Sequence, residues 1–355
     1  MQVCYILRHP ESHFYSIERL CRVLVGEIRK QAEVFVYAMP FTSSVLGAPA
    51  NLLRLPKKRN TVYHIIGDVH YASLALPKER TVVTFHDTVS LHRLVGLKRH
   101  LVLEYSYRKP IERAGAVTTI SQFAKSELDR ACGGLDRPVH VVHNPADPVF
   151  LQVESKHEKG PRITSGTVHG KANRKGPGTG PGTTRPSILQ VGSLPHKNAD
   201  TVIKALAGRD CDLHIVGYPE KYLVQLAAKF EVCLQWHTRI TDRELVDLYG
   251  AATLVTFASA YEGFGLPVIE AQAVGCPVIT STCCSLPEVA GDGALFVEPG
   301  NVHELRSAVQ RVLQEPALRD SLIERGRRNV ARFNVRKIAS EYLAIYESLL
   351  NELSN

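Results

Sequence analysis

No apolar run in this chain is longer than a strand requires, so nothing in it reads as a membrane-spanning helix. The first residues, Met1-Gln2-Val3-Cys4-Tyr5-Ile6-Leu7-Arg8, lack a basic leader followed by a long hydrophobic stretch and a small-residue cleavage site, and a cytoplasmic protein is the expectation. Cys-x-x-Cys pairs are absent too. Of the eight cysteines only Cys283 and Cys284 are close in sequence, which argues against a zinc ribbon or a disulfide scaffold and leaves reduced thiols, mostly filling cores. Zinc-finger spacings and RNP-type aromatics are missing, so no nucleic-acid module is visible, although a net charge of +8 implies attraction to anions. Phosphorylated ligands and anionic membrane are the candidates that remain. One Asp-x-Asp is present, Asp210-Cys211-Asp212, but it directly precedes a predicted strand at 213–216, at the end of a sheet away from where open α/β sheets bind ligands. No metal and no cofactor are expected.

At 355 residues and 44% hydrophobic content the chain has room for two independent cores. Strand-like apolar runs at 3–7, 34–37, 62–66, 81–85, 116–120 and 139–142 alternate with helical stretches such as 16–30 and 122–131. The pattern then repeats, with strands at 188–191, 213–216, 232–235, 252–257, 277–280 and 294–297 and helices at 200–207, 221–229, 242–249 and 266–274. Such alternation predicts α/β architecture: two Rossmann-like doubly wound domains facing a cleft. The expected boundaries are 1–150 for an N-terminal domain, 151–186 for a flexible linker and insertion, and 187–332 for a C-terminal domain. Residues 160–185, rich in Gly, Pro, Thr, Lys and Arg, have too few apolar side chains to offset their ordering entropy. On residues 97–110, Lys98, Arg99, His100, Arg108 and Lys109 alternate with Leu97, Leu101, Val102 and Tyr105 on a predicted helix. This is either a solvated basic face or a contact with anionic membrane at its inner face.

The densest chemistry lies in Tyr261-Glu262-Gly263-Phe264-Gly265-Leu266-Pro267-Val268-Ile269-Glu270. An apolar strand precedes it, two glycines allow a close backbone approach, and Pro267 opens a helix whose free amides and positive dipole end favour phosphate. Carboxylates repel phosphate, so Glu262 and Glu270 there read as acceptors for hydroxyl donors, as a nucleotide sugar supplies; the alternative is two surface glutamates beside a helix start. After an earlier strand, Gly192-Ser193-Leu194-Pro195-His196-Lys197-Asn198 sets a lysine at the end of a glycine turn, positioned as a point charge for a diphosphate or else as a solvated loop lysine.

The decapeptide, with its Glu-x7-Glu spacing, resembles the signature of retaining family 4 glycosyltransferases, which have the two-domain GT-B fold. The resemblance implies that Glu262 contacts hydroxyls of the transferred sugar, the Gly263, Phe264, Gly265 and Leu266 backbone its ring and phosphate, and Glu270 the ribose. It makes Lys197, with Gly192 and His196, the diphosphate side. His196 stands where many members have arginine, and Ser193 where an arginine is frequent, so one cation is absent or conditional on a protonated imidazole. His86, in Thr84-Phe85-His86-Asp87-Thr88 just past a strand, is similar to the family histidine that touches the donor sugar. It reads otherwise as a core histidine, with Asp87 as a cap. Ser121 is an N-cap expected to face the cleft, and Leu286, in Ser285-Leu286-Pro287-Glu288-Val289, is expected to line the donor pocket or start a helix. A terminal helix at 333–355 resembles the one that returns to the N-terminal domain, although Val335 stands where tryptophan is frequent. The family's glycine-rich loop after the first strand is replaced by His9-Pro10-Glu11-Ser12-His13-Phe14-Tyr15-Ser16. The implied activity is a retaining, metal-independent transfer of a hexose from a nucleotide diphosphate sugar to a glycan or lipid-linked acceptor. A sugar-nucleotide epimerase, an inactive nucleotide-sugar-binding homologue, and a hydrolase with Glu262 and Glu270 as its carboxylate pair are the alternatives.

Overall fold

The computed structural model describes residues 1–10, 16–44, 46–92, 94–152 and 185–353. The tract at 160–185, apart from Arg185, and most of the loop from Glu11 to Tyr15 therefore lie outside the described residues.

Six strands form the first sheet: β1 (Gln2–Leu7), β2 (Glu33–Ala38), β3 (Thr61–Ile65), β4 (Thr81–Phe85), β5 (Ala116–Thr119) and β6 (His140–Val141), all parallel, in the order β2-β1-β3-β4-β5-β6. β3, β4 and β5 are buried along their whole length, as β-branched and apolar runs covered on both faces must be, whereas edge strand β2 alternates toward solvent. The second sheet contains β7 (Ser187–Val191), β8 (Asp212–Val216), β9 (Cys233–His237), β10 (Leu254–Phe257), β11 (Val278–Ser281) and β12 (Ala294–Val297), also parallel, in the order β12-β11-β10-β7-β8-β9. Every strand anticipated from an apolar run is present, with ends shifted slightly. The helix Gly47–Arg54 and the 3-10 turn His70–Ala75 were not anticipated. The result is two doubly wound α/β units.

The first unit comprises Met1–Pro145 together with Phe333–Asn355, and the second Ala146–Arg332. Residues 146–151 thus belong to the second unit. Phe150 is fully buried there and meets Tyr249 edge-on, with ring centroids 5.9 Å apart. The terminal helix Val335–Glu352 starts at Asn334, whose side chain accepts from the amides of Arg336 and Lys337. Ile338, Ala339, Tyr342, Leu343, Tyr346 and Leu349 fall on one helical face and enter the core with Val3, Tyr5 and helix Ser16–Ile28.

Polar groups anchor that helix as well. The Tyr346 hydroxyl is 2.6 Å from His64 Nδ1 and 2.9 Å from the Tyr5 hydroxyl, while His64 Nε2 is 2.7 Å from Thr84 Oγ1, itself 2.6 Å from Thr118 Oγ1. Burial pushes the His64 imidazole down to about 3, with His86 contributing, so the ring is neutral within this chain of hydroxyls.

Asp210 and Asp212 stand at the amino end of β8, where Arg185 pairs with both: Nε is 2.7 Å from Asp210 Oδ1 and Nη1 3.5 Å from Asp212 Oδ1. Among the described residues no helix is long and apolar enough to cross a membrane.

Candidate functional site

In the second sheet the chain runs outward from β7 through β8 and β9, then returns to the other flank of β7 with β10. The order therefore reverses between β7 and β10, whose register pairs Leu254 with Ile188 and Thr256 with Gln190. A crevice outside the carboxyl ends of two such strands is where doubly wound sheets take ligands. The loops that leave β7 and β10 carry Lys197 and Glu262.

After β10 the turn is built around Gly265, which caps helix Leu266–Val274 at φ +104°. A Cβ on Gly265 would lie 2.6 Å from Leu286 Cδ2, so glycine is required by both the dihedral and the packing. Leu286 is fully buried beneath the turn and opens helix Leu286–Ala290, the second of the two roles expected for it. Phe264 is buried too, which leaves the backbone of this segment for a ligand. The hydroxyl of Ser285 lies 2.8 Å from the carbonyls of both Glu262 and Phe264, stapling the turn from the neighbouring loop. Glu270 is 3% exposed, and its Oε2 accepts from the buried Tyr249 hydroxyl at 3.0 Å.

After β7, Gly192 sits at φ +95°, and a Cβ there would come within 2.9 Å of Lys197 Cγ. The glycine thus makes room for the lysine stem to fold back over it. Gln190, fully buried in β7, donates to the Lys197 carbonyl at 3.1 Å while its Oε1 accepts from Thr256 of β10 at 3.0 Å. The Asn198 amide donates to the Ala258 carbonyl at 2.8 Å, and the Ala260 N–H to the His196 carbonyl at 2.7 Å. These bonds lace the two loops together. Across them Lys197 Nζ meets Glu262 Oε1 at 2.5 Å, with side chains only 18% and 13% exposed, and Nζ lies 4.8 Å from the Phe257 ring centroid. The sequence reading had named both residues for opposite parts of one ligand; the fold makes them an ion pair. Ser193 turns its Oγ to the Tyr218 carbonyl at 2.9 Å, so this position holds the loop after β8 and supplies no cation.

Ser285 and Gln190 were missed as organisers of the site. Gln190 did carry a signal, a lone amide within the apolar run Ile188-Leu189-Gln190-Val191; Ser285 carried none beyond its place ahead of Leu286.

In the first unit His86 follows β4, and its Nε2 lies 2.7 Å from the Ile66 carbonyl. A carbonyl only accepts, so Nε2 carries the proton, and in the neutral ring Nδ1 is left as an acceptor suited to a hydroxyl. Asp87 caps the following turn, with Oδ1 accepting from the Val89 amide at 2.9 Å. Ser121, after the adjacent β5, is fully buried and caps helix Gln122–Cys132 by accepting from the Ala124 amide at 3.0 Å. Among the described residues no cluster of three or more His, Cys, Asp or Glu side chains could hold a metal ion.

Comparison with known proteins bears on these two units separately. The family model "Glycosyltransferase Family 4" matches residues 10–150, and "Glycosyl transferases group 1" matches residues 175–329. The O-antigen chain mannosyltransferase B of Escherichia coli is 28% identical over 290 residues, covering 76% of this chain and 71% of the relative. The O-antigen chain mannosyltransferase RfbU of Salmonella typhimurium is 33% identical over 275 residues, covering 74% and 69%. Among solved structures, Anabaena Alr3699/HepE in complex with UDP-glucose superposes with a TM-score of 0.73 at 16% identity, covering 98% of this chain and all of that one. At that identity the likeness is one of fold.

Proposed function

The chain belongs to the family 4 glycosyltransferases of two-domain GT-B fold, and on that premise we propose that it transfers a hexose, with retention of configuration and without a metal, from a nucleotide diphosphate sugar to a lipid-linked glycan. The observation that carries this reading is the pairing of Lys197 with Glu262 beside the Gly265 helix start, at the strand reversal between β7 and β10. A cation, a glycine-capped helix N-terminus and a carboxylate within one small region match the three parts of such a donor.

The positive dipole end of helix Leu266–Val274 and the Lys197 ammonium neutralise the departing diphosphate, which is the charge that grows as the glycosidic bond breaks. That is a physical ground for metal independence. Glu262 accepts hydroxyls of the transferred sugar, Glu270 those of the ribose, and His86 offers Nδ1 to a sugar hydroxyl. With no separate base, the acceptor hydroxyl attacks on the face the diphosphate leaves and passes its proton to a phosphate oxygen. The hydrolase alternative loses ground, because Glu270 is held by Tyr249 inside its helix and Glu262 by Lys197, a poor arrangement for two carboxylates facing one sugar.

The names of the two relatives support mannose as the first donor sugar to assay and a growing surface polysaccharide as the acceptor. Helix Gly96–Leu103 supports a peripheral contact with anionic lipid: Leu97 is 73% exposed and Leu101 46%, with Lys98, Arg99 and His100 between them. The test is turnover with a panel of nucleotide sugars, following nucleoside diphosphate release and sugar products with and without lipid extract. Acceptor-dependent release of the diphosphate supports the proposal. Conversion of the sugar nucleotide without acceptor would instead mark an epimerase, and binding without turnover an inactive homologue.

A further inference from the structure

Two thiols that this chemistry does not use press against the donor loop. Cys283 and Cys284 follow β11 and immediately precede Ser285, the residue that holds the carbonyls of Glu262 and Phe264. The Cys283 thiol is 3.3 Å from the Ser259 carbonyl, and the two sulfurs converge on the carbonyl of Ala260, at 3.5 and 3.6 Å. Ala260 in turn donates its N–H to His196. Cys284 holds a left-handed backbone, φ +60°, a strained conformation for a non-glycine residue.

The neighbouring Cys284 thiol, aided by the Ser281 hydroxyl 3.4 Å away, pulls the Cys283 thiol down to about 6 against its partial burial. Cys4, Cys21, Cys132, Cys211 and Cys276 are all pushed up by burial. Half-buried and adjacent, the pair sets a thiol of lowered pKa beside a resolving thiol one residue away, the arrangement that oxidants select.

We propose that Cys283 and Cys284 form a redox-modification site, which a peroxide closes into a disulfide between the neighbours and thereby loosens the donor loop. The Cys283 thiolate attacks one peroxide oxygen, the O–O bond breaks, and hydroxide departs to take up a proton, leaving a sulfenic acid. Cys284 then gives up its proton and attacks that sulfur; the S–S bond forms, the S–O bond breaks and water leaves. In all, two thiols lose two electrons and two protons while the peroxide becomes two waters. The carbonyls of Ser259 and Ala260 lose their S–H donors. The S–S bond takes both sulfurs off these carbonyls and closes a small ring over the Cys283–Cys284 peptide, so the backbone next to Ser285 shifts and draws it away from Glu262 and Phe264. A strained bond of this kind is readily reduced by thiols, which makes the change reversible.

The effect on binding rests on the donor reading above; the chemical step does not. The full-length protein is treated with hydrogen peroxide, remaining thiols are alkylated, and peptides are mapped by mass, while UDP and GDP affinities are measured by calorimetry before and after oxidation and after dithiothreitol. The peptide carrying both cysteines should lose two hydrogens and escape alkylation, with the other six cysteines alkylated. Affinity for the preferred diphosphate should fall about tenfold and return on reduction, whereas Cys284→Ser should stop at a dimedone-reactive sulfenic acid and keep its affinity. Alkylation of both cysteines after peroxide overturns the site, and a disulfide with unchanged affinity overturns its action on the loop. Failure of the untreated protein to bind either diphosphate would count against the donor reading, while the peptide map would still decide the disulfide.

Discussion

Replacing Glu262 by Gln should change the affinities for the two ligands of this site in opposite directions. In the structure Lys197 Nζ is held by Glu262 Oε1 at 2.5 Å, with both side chains mostly out of water. A charge-assisted bond in such a setting is worth about 1.5 to 3 kcal/mol, with the lower end apt here because both side chains keep some solvent contact. An incoming diphosphate must draw Lys197 away from the carboxylate or share it, and it also meets the carboxylate's repulsion. Glu262→Gln removes the competing charge, keeps a neutral acceptor of the same shape, and should tighten free nucleoside diphosphate by about 1 to 2 kcal/mol, a factor of about 5 to 30. The intact nucleotide sugar loses its strongest hydroxyl acceptor, so transfer should fall by at least about a hundredfold. Calorimetric titration of wild type, Glu262→Gln, Lys197→Met and the double variant with UDP and GDP gives the cycle. Lys197→Met should weaken binding, and in that background Glu262→Gln should tighten it less, by the relief of carboxylate repulsion alone. If Glu262→Gln leaves diphosphate affinity unchanged or weakens it, Lys197 is not the diphosphate contact and the reasoning fails.

Gly192→Ala should lower stability by about 1 to 2 kcal/mol through its positive φ and, by displacing the Lys197 stem, weaken diphosphate binding about tenfold; urea melts and calorimetry together check this. Glu270→Gln should cost about 1.5 to 3 kcal/mol of nucleotide binding, whereas Tyr249→Phe should cost stability but not affinity, and equal losses in both would reduce Glu270 to a packing role. The His64 imidazole lies far below its unfolded value of about 6.5, and burial also lowers His70 and His237, each to about 4. The unfolded chain therefore binds protons that the native one does not, so stability is present above pH ~6.5 and is lost as pH falls toward the native values, by up to about 1.4 kcal/mol per pH unit for each histidine. Urea titrations at several pH values should show that slope, and Tyr346→Phe, which takes the hydroxyl from His64 and Tyr5, should lose about 1 to 3 kcal/mol at neutral pH.

Much of this protein was legible in one dimension, for local physical reasons. Buried parallel strands must be continuous apolar runs, so β1, β4, β7 and β10 declared themselves. A glycine turn before Pro267 announces a helix start, and two carboxylates around it narrow the ligand to one with hydroxyls and phosphate. What stayed hidden depended on contacts between distant segments. Lys197 and Glu262 are 65 residues apart, and neither has a local feature that marks the other as its partner. Strand order places β7 beside β10, and only then do Gln190, Asn198 and His196 tie the two loops. Leu286, expected to line a pocket or start a helix, opens helix Leu286–Ala290 and lies under Gly265 because the loop after β11 folds against the turn after β10. Tyr346 reached His64 across the whole first unit in the same way. Local residue chemistry thus determined the elements and singled out the candidate site residues. The tertiary fold alone decided which charges meet and which side chains stay buried, because those outcomes depend on strand order, and no single segment of sequence contains it.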